Sequence, residues 1–253
     1  MSKTIYIRGG AASNTAIKVM TSHFIGYGYE VVRSRPISGG YSTVCWGTSD
    51  RYATNVSLNK FVNSTNKYGA FFAFDTLKVR HPEVFGATQL FEGGKFSFPL
   101  LARKVHHKGG TDIVVCKTMK EALAAKPSAD FFSVFVPTKT EYRLWVFEGT
   151  LLAVYEKVYK GEGEYAGFMR NRKFGFSFQK RDELVEDAAL GTMGANAVLS
   201  LGMDFGAVDV ILGKDGKYYC LEVNSMPAID STERSSGIRL AKSIVGYIEK
   251  HAK

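Results

Sequence analysis

Three oxygen-bearing side chains near the C-terminus stand out because each lies in an otherwise apolar stretch. Asp209 interrupts the run 208–212, and Glu222 and Asn224 fall at the end of the run 218–224. Carboxylate and amide oxygens are typical ligands of Mg²⁺, and burying them without a partner is costly. The same side chains could also lie on a solvated sheet face, an alternative that the two runs alone leave open.

The turn between the two runs decides whether these side chains meet. Residues 213–216 read Gly-Lys-Asp-Gly, a turn sequence that makes the runs an antiparallel hairpin. If Leu212 pairs with Lys217, side-chain alternation puts Asp209 diagonally beside Glu222 on one face, together with the amide. A pairing shifted by one residue would turn Asp209 to the other face. We therefore predict that the three polar side chains share one face.

Two loops contain glycines that would let the backbone approach a phosphate. Residues 9–14 lack the GxxxxGK[ST] pattern, which favours a turn and helix cap there. Residues 105–111 include His106, His107, Gly109 and Gly110. Two adjacent histidines with no third nearby make a poor metal site, so we interpret this segment as a loop that contacts phosphate or substrate.

Composition limits the classes of protein that this chain could be. The sequence has 253 residues, 45% of them hydrophobic, and no apolar run long enough to span a membrane. Its three cysteines are far apart and the N-terminus has no long apolar stretch, which favours a reducing, cytoplasmic location. The net charge of +9 has two interpretations, a site for a polyphosphate or a nucleic-acid partner.

The alternation of apolar and polar residues predicts a chain of mixed strands and helices around the polar residues. Strands are predicted at 4–8, 30–33, 43–46, 98–103, 113–116, 131–136, 143–147, 151–156, 205–212 and 218–224. Helices are predicted at 14–27, 58–74, 120–125, 182–201 and 231–251, with Asp182 capping the fourth.

The sequence resembles the ATP-grasp superfamily in four segments that follow the family order over about 55–250. Residues 205–211 and 220–227 resemble its paired metal-binding strands, and 140–147 resemble its Arg-containing strand. Residues 98–103, with Gly109 and Gly110, resemble the strand and flexible loop that grip ATP phosphates. Among its members, the similarity is greatest to glutamate-adding ribosomal-protein ligases and short phage-encoded ATP-grasp proteins.

The resemblance implies an α/β (α+β) protein with the ATP-grasp fold, in which two α+β lobes clasp ATP. A small βαβ-like region at 1–55 would precede an N-terminal lobe at 56–133 and a C-terminal lobe with the magnesium site at 134–253. Two departures concern the acceptor substrate: Ala228 follows Pro227 where a glycine is common, and the N-terminal region is small.

The resemblance also implies roles for individual residues. Two magnesium ions, with manganese as a substitute, would be held by Asp209, Glu222 and Asn224. ATP would be contacted by Arg103, Lys104, His107, Gly109, Gly110, Ser133, Phe135, Glu141 and Asn171. In this scheme, backbone amides of 131–136 read adenine and Glu141 reaches the ribose. The acyl phosphate would be stabilised by Lys157, Arg170 and Arg172.

The reaction that this resemblance implies is ATP-dependent formation of an amide from a carboxylate and an amine through an acyl phosphate. An amino acid, a peptide or a modified nucleotide could supply either group. One alternative is a kinase that phosphorylates a hydroxyl with the same fold. Another is a non-catalytic binder of nucleotides or nucleic acid.

Overall fold

Three β-sheets follow one another along the chain. The computed structural model describes residues 3–9, 15–37, 40–49, 55–60, 66–106, 112–163, 165, 167–229 and 232–252. Within these residues no helix is long and apolar enough to cross a membrane.

The first sheet is parallel and belongs to the N-terminal region. It contains β1 (Thr4–Arg8), β2 (Glu30–Val32), β3 (Ser42–Cys45) and β4 (Ser57–Leu58) in the order β2-β1-β3-β4. Helix α1 (Thr15–Gly26) connects β1 to β2. The predicted β-α-β start is therefore confirmed, and β4 adds a strand that the sequence did not predict.

The second sheet is antiparallel and lies in the middle of the chain. Its order is β5-β8-β6-β7, formed by β5 (Val84–Gly86), β6 (Leu100–Arg103), β7 (Val114–Cys116) and β8 (Phe131–Val134). Helices α2 (Lys67–Thr76) and α3 (Met119–Ala125) belong to the same stretch. The helix predicted from Leu58 is wrong, since Asn66 caps α2 by accepting a hydrogen bond from the Gly69 amide at 2.8 Å.

The third sheet is antiparallel and carries the predicted carboxylates. Its order is β11-β10-β9-β12-β13, formed by β9 (Thr138–Phe147), β10 (Thr150–Tyr159), β11 (Phe176–Lys180), β12 (Phe205–Gly213) and β13 (Tyr218–Asn224). Helices α4 (Ala188–Ser200) and α5 (Arg234–His251) complete it. Asp187, rather than the predicted Asp182, caps α4 by accepting from the amides of Ala189 and Leu190.

The two faces of the third sheet are buried against different helices. On one face, Leu144, Val146 and Val208 pack in a core with residues of α2 and α4. Gly194 permits that contact, because a Cβ there would lie 2.9 Å from a methyl group of Val146. On the opposite face, Trp145, Phe205 and neighbours form a core with α1, α5 and the first sheet. The part of this second face beyond that core carries polar side chains.

Candidate active site

Asp209 lies directly opposite Glu222 in the pairing of β12 with β13, so both side chains project from the same face. The predicted pairing is wrong by one residue, because Leu212 pairs with Tyr218. An extra residue in β13, Leu221, has no counterpart on β12 and forms a β-bulge. This bulge compensates for the shifted turn and restores the shared face that the sequence predicted.

Asp209 is buried and held by two cations. The Arg143 guanidinium donates from Nε to Oδ1 at 2.8 Å and from Nη2 to Oδ2 at 3.0 Å, and Lys157 Nζ lies 3.8 Å from Oδ2. Burial raises the pKa of Asp209, but Arg143 and Lys157 outweigh that effect and hold it at about 2. The carboxylate is therefore ionised at neutral pH.

Glu222 is held by a residue from a distant part of the chain. Lys67, at the start of α2, places its Nζ 2.6 Å from Glu222 Oε2. The other carboxylate oxygen accepts a hydrogen bond from Asn224 Nδ2 at 3.2 Å. The structure thus groups the three predicted metal ligands and adds Lys67, which the sequence did not predict to be a site residue.

A second buried ion pair lies beside Asp209. Lys157 on β10 donates a hydrogen bond to Glu141 on the neighbouring strand β9. Burial raises the pKa of Glu141 although Lys157 acts in the opposite direction. For Lys157, burial lowers the pKa, but Asp209 and Glu141 outweigh it and the net shift is upward. Lys157 therefore stays charged beside two carboxylates.

Arg143 also faces a second buried carboxylate. Glu233, immediately before α5, accepts a hydrogen bond from Trp145 Nε1 at 3.1 Å and lies 3.9 Å from Arg143 Nη1. The ring of Phe178 covers the guanidinium at 4.7 Å. Arg143 lies in the motif that carried the family resemblance, but no local pattern connects it to Glu233, 90 residues later.

Most of these side chains line a cavity of about 370 Å³ between the second and third sheets, whereas Asn224 and Glu233 are not among its lining residues. Its polar part carries five cationic side chains and three carboxylates, an excess of positive charge that suits a polyphosphate. The cations are Lys67, Arg103, Arg143, Lys157 and Arg170, and the carboxylates are Glu141, Asp209 and Glu222. Its apolar part includes Val134, Phe135, Val136, Phe168, Met169 and Ile211.

The segment predicted to read adenine lines this cavity through Ser133 and Phe135. The backbone amides of Val134 and Phe135, however, donate to the carbonyl oxygens of Glu83 and Pro99, each at 2.9 Å. These two amides therefore already have protein acceptors, and adenine recognition by this segment stays a prediction. The aromatic rings of Phe135 and Phe168 meet edge to face, with centroids 6.2 Å apart, and supply an apolar surface instead.

Several predicted cations occupy different environments. Arg103 lines the cavity over the ring of Phe131, and its buried Nε has no hydrogen-bond partner within the part of the chain that is described. Arg170 lines it while donating to the backbone carbonyls of Thr138 and Lys139 at 3.1 and 3.3 Å. Asn171 lines it as well.

The remaining predicted residues are not brought into the cavity or lie outside the described residues. Lys104 and Arg172 are exposed and do not line the cavity. Lys104 follows a residue that points inward, and side chains of consecutive strand residues point to opposite faces. Arg172 begins a short 3-10 helix, Arg172–Phe174, whose first two residues are exposed. His107, Gly109 and Gly110 lie outside the described residues.

The oxygen ligands offered by the protein suit magnesium, which also takes water and phosphate oxygens, better than a metal that is held by protein side chains alone. No cluster of three or more His, Cys, Asp or Glu side chains suited to a metal occurs in the described ranges. Asp209, Glu222 and Asn224 instead offer two carboxylates and one amide, all hard oxygen donors. Magnesium commonly takes one or two carboxylates and completes its shell with water and phosphate oxygens.

Comparison with known proteins identifies the family of the part of the chain that lines the cavity. The model of the RimK-like ATP-grasp domain matches residues 80–248, which include most of the cavity-lining residues. A probable alpha-L-glutamate ligase of Histophilus somni (strain 2336) is 25% identical over 177 residues, covering 67% of this chain. A protein of the same description from Mannheimia succiniciproducens is 23% identical over 202 residues, covering 75% of this chain and 65% of its own length. The chain spans 56% of the length of the Histophilus somni protein.

Solved structures share the fold at low sequence identity. The ATP-grasp ligase PsnB, complexed with minimal precursor, Mg and ADP, matches with a TM-score of 0.66 and 11% identity over 97% of both chains. The macrocyclase MdnC from Microcystis aeruginosa MRC, bound with precursor peptide MdnA, matches with a TM-score of 0.64 and 12% identity. It covers 96% of this chain and 99% of its own. The predicted fold is confirmed, and the chain belongs to the RimK-like ATP-grasp family.

Proposed function

We propose that this protein uses MgATP to activate a carboxylate as an acyl phosphate and joins it to an amine. The observation that carries the proposal is the pair Asp209 and Glu222, which share one face of β12 and β13 at the wall of a cationic cavity. Hard oxygen donors beside Lys67, Arg143 and Lys157 suit a magnesium–polyphosphate complex better than either charge set alone.

The cavity divides into parts that suit the parts of ATP. The apolar wall with Phe135 and Phe168 suits the adenine ring, and the buried Glu141 is the candidate for the ribose. Arg103, whose Nε has no hydrogen-bond partner among the described residues, suits a phosphate oxygen. Arg172 and Lys104 lie outside the cavity, so we assign them no part in the chemistry.

The magnesium site would consist of Asp209, Glu222 and Asn224. When bound there, magnesium neutralises phosphate charge and orients the γ-phosphate. The protein's own cations hold these carboxylates in place: Arg143 grips Asp209 through two hydrogen bonds, and Lys67 contacts Glu222. Both carboxylates are thus held at the cavity wall before nucleotide binds, and magnesium would replace these cations on their oxygens.

The reaction has two steps. An oxygen of the substrate carboxylate attacks the γ-phosphorus, the bond from that phosphorus to the ADP oxygen breaks, and ADP leaves. The neutral amine then attacks the acyl carbon, the bond to phosphate breaks, and the amine proton passes to solvent. Lys157 and Arg170 line the cavity and would stabilise the negative charge on the transferring group. Positioning and charge account for such catalysis without a protein nucleophile.

L-Glutamate is the first amine to test, because the relatives from Histophilus somni and Mannheimia succiniciproducens are described as probable alpha-L-glutamate ligases. Amino acids, peptides and modified nucleotides extend the panel on both the carboxylate and the amine side. The cavity holds an excess of cations, which suits acidic substrates in general.

The test is ADP release measured with MgATP over pairs of carboxylates and amines, with hydroxylamine added to a parallel set. We expect one carboxylate to give both ADP and a hydroxamate, because hydroxylamine captures an acyl phosphate. ADP release with a phosphorylated hydroxyl product and no hydroxamate would identify a kinase instead. Nucleotide binding without ADP release over the whole panel would indicate a non-catalytic binder.

A further inference from the structure

Glu233 is a buried carboxylate that lies outside the set of predicted metal ligands. Its side chain is 2% exposed and sits just before α5, on the side of Arg143 that faces the core. It accepts a hydrogen bond from Trp145 Nε1 at 3.1 Å. A buried acid is costly unless it has partners, so its position beside a guanidinium calls for an explanation.

Arg143 lies between two carboxylates at unequal distances. It makes two hydrogen bonds to Asp209, at 2.8 and 3.0 Å, whereas Glu233 Oε1 is 3.9 Å from Nη1. The centroid of the Phe178 ring lies 4.7 Å from the guanidinium carbon and limits movement of Arg143 toward that side. The distance to Glu233 is about 1 Å longer than a hydrogen bond, so a shift of that size would bring Arg143 into direct hydrogen bonding with Glu233.

Binding of a divalent cation to Asp209 changes the balance between these contacts. The carboxylate oxygens that Arg143 now occupies are the ones that the metal would need. Arginine stays charged at every accessible pH. The side chain of Arg143 is only 15% exposed, so if its guanidinium loses Asp209 it needs another hydrogen-bond acceptor from the protein. Glu233 is already within 3.9 Å and is held in place by Trp145.

We propose that Glu233 is a positioning residue that takes over Arg143 when Asp209 turns to the metal. This inference rests on the magnesium site of the proposed function. Without the charge of Glu233, Arg143 keeps its grip on Asp209 and competes with the cation. Loss of that charge therefore weakens metal binding, although Glu233 touches neither metal nor nucleotide.

The test measures binding of Mn²⁺, a paramagnetic substitute for Mg²⁺, to the protein with ADP by electron paramagnetic resonance. Glu233→Gln keeps the length of the side chain and an oxygen for Trp145 Nε1, but removes the charge. We expect Mn²⁺ binding to weaken by roughly tenfold or more, since charges about 4 Å apart interact strongly in partly buried sites. ADP binding without metal should stay within about twofold of the parent protein.

A matched control separates positioning from a general effect on the start of α5. Arg239→Gln removes the hydrogen bond from its Nη1 to the Leu152 carbonyl, 2.8 Å long, which joins α5 to β10 three residues away from the strand partner of Arg143. It should lower the melting temperature and leave Mn²⁺ affinity unchanged. If folded Glu233→Gln binds Mn²⁺ as tightly as the parent, the role of Glu233 is contradicted, but the proposed metal site is not. If the Asp209→Asn variant binds Mn²⁺ as tightly as the parent protein, the proposed metal site is wrong, and this inference is wrong with it.

Discussion

Asp209 lies directly opposite Glu222 because β13 contains one more residue than β12 between their shared turn and the site. Without the bulge at Leu221, the observed pairing of Leu212 with Tyr218 would place Asp209 and Glu222 on opposite faces. The proposed metal site thus depends on a backbone irregularity as well as on the identity of its side chains. β-Bulges are frequent beside active sites for this reason.

Deletion of Leu221 tests this description of the bulge. Without the extra residue, β13 and β12 have equal lengths here, so regular alternation keeps Cys220 opposite Val210 and Glu222 opposite Asp209. We therefore expect the folded deletion variant to retain nucleotide-dependent Mn²⁺ binding, with a lower melting temperature because the backbone of β13 must straighten. A folded deletion variant that has lost Mn²⁺ binding would contradict the role given to the bulge.

Lys67→Gln tests the contribution of α2 to the site. Lys67 contacts Glu222 at 2.6 Å and both side chains are partly exposed, so the pair itself contributes only about 0–1 kcal/mol to stability. If Lys67 binds a phosphate oxygen, ADP affinity should fall by roughly tenfold, as expected for one charge-assisted contact of about 1.4 kcal/mol. The melting temperature should remain close to that of the parent.

Lys120→Gln is the matched control for this variant, since it makes the same change at an exposed position of α3. ADP affinity should then equal that of the parent protein. Equal ADP affinities in Lys67→Gln and the parent would show that α2 only supports Glu222.

The pair Glu148 and Asp204 predicts a pH effect on stability. Burial, followed by the neighbouring Asp204, raises the pKa of Glu148, and His251 opposes this shift. Burial also raises the pKa of Asp204, against the hydrogen bond from the Asn59 amide. Tyr247, another titratable group nearby, has its pKa raised by burial and then by these two carboxylates.

A carboxyl with a raised pKa favours the folded state while protonated, and that contribution is lost as the pH rises through the folded-state pKa. Glu148→Gln should therefore raise the melting temperature by a few degrees at pH 7, and the gain should shrink below about pH 4. Glu162→Gln, at an exposed loop position, is the control. A gain that is equal at both pH values would contradict the repulsion between Glu148 and Asp204.

Side-chain alternation and the family resemblance were sufficient to predict the shared face of Asp209, Glu222 and Asn224. They could not reveal the bulge, because Leu221 is an ordinary apolar residue and nothing in its type marks an unpaired position. Lys67 and Glu222 are 155 positions apart, and no local pattern connects them. Glu233 fell inside a predicted helix, where a single acid has no distinguishing context.

The helix boundaries show the same limit. Asp182 and Asp187 are both acceptable caps by residue type, and only the tertiary position of α4 decides between them. Lys104 and Arg103 were equally suitable phosphate ligands in the sequence. Strand β6 ends at Arg103, which points into the cavity, whereas Lys104 points to solvent.

The most direct test of the magnesium site is the effect of Mg²⁺ on ADP affinity, measured by isothermal titration calorimetry in the parent and in Glu222→Gln. This change keeps the size of the side chain and removes one charge, so the fold should survive. We predict that Mg²⁺ strengthens ADP binding in the parent and in Asp215→Asn, a change in the exposed turn. Folded Glu222→Gln should lose most of that effect while keeping its metal-free ADP affinity. If Mg²⁺ strengthens ADP binding equally in Glu222→Gln and the parent, the carboxylate pair is not the metal site.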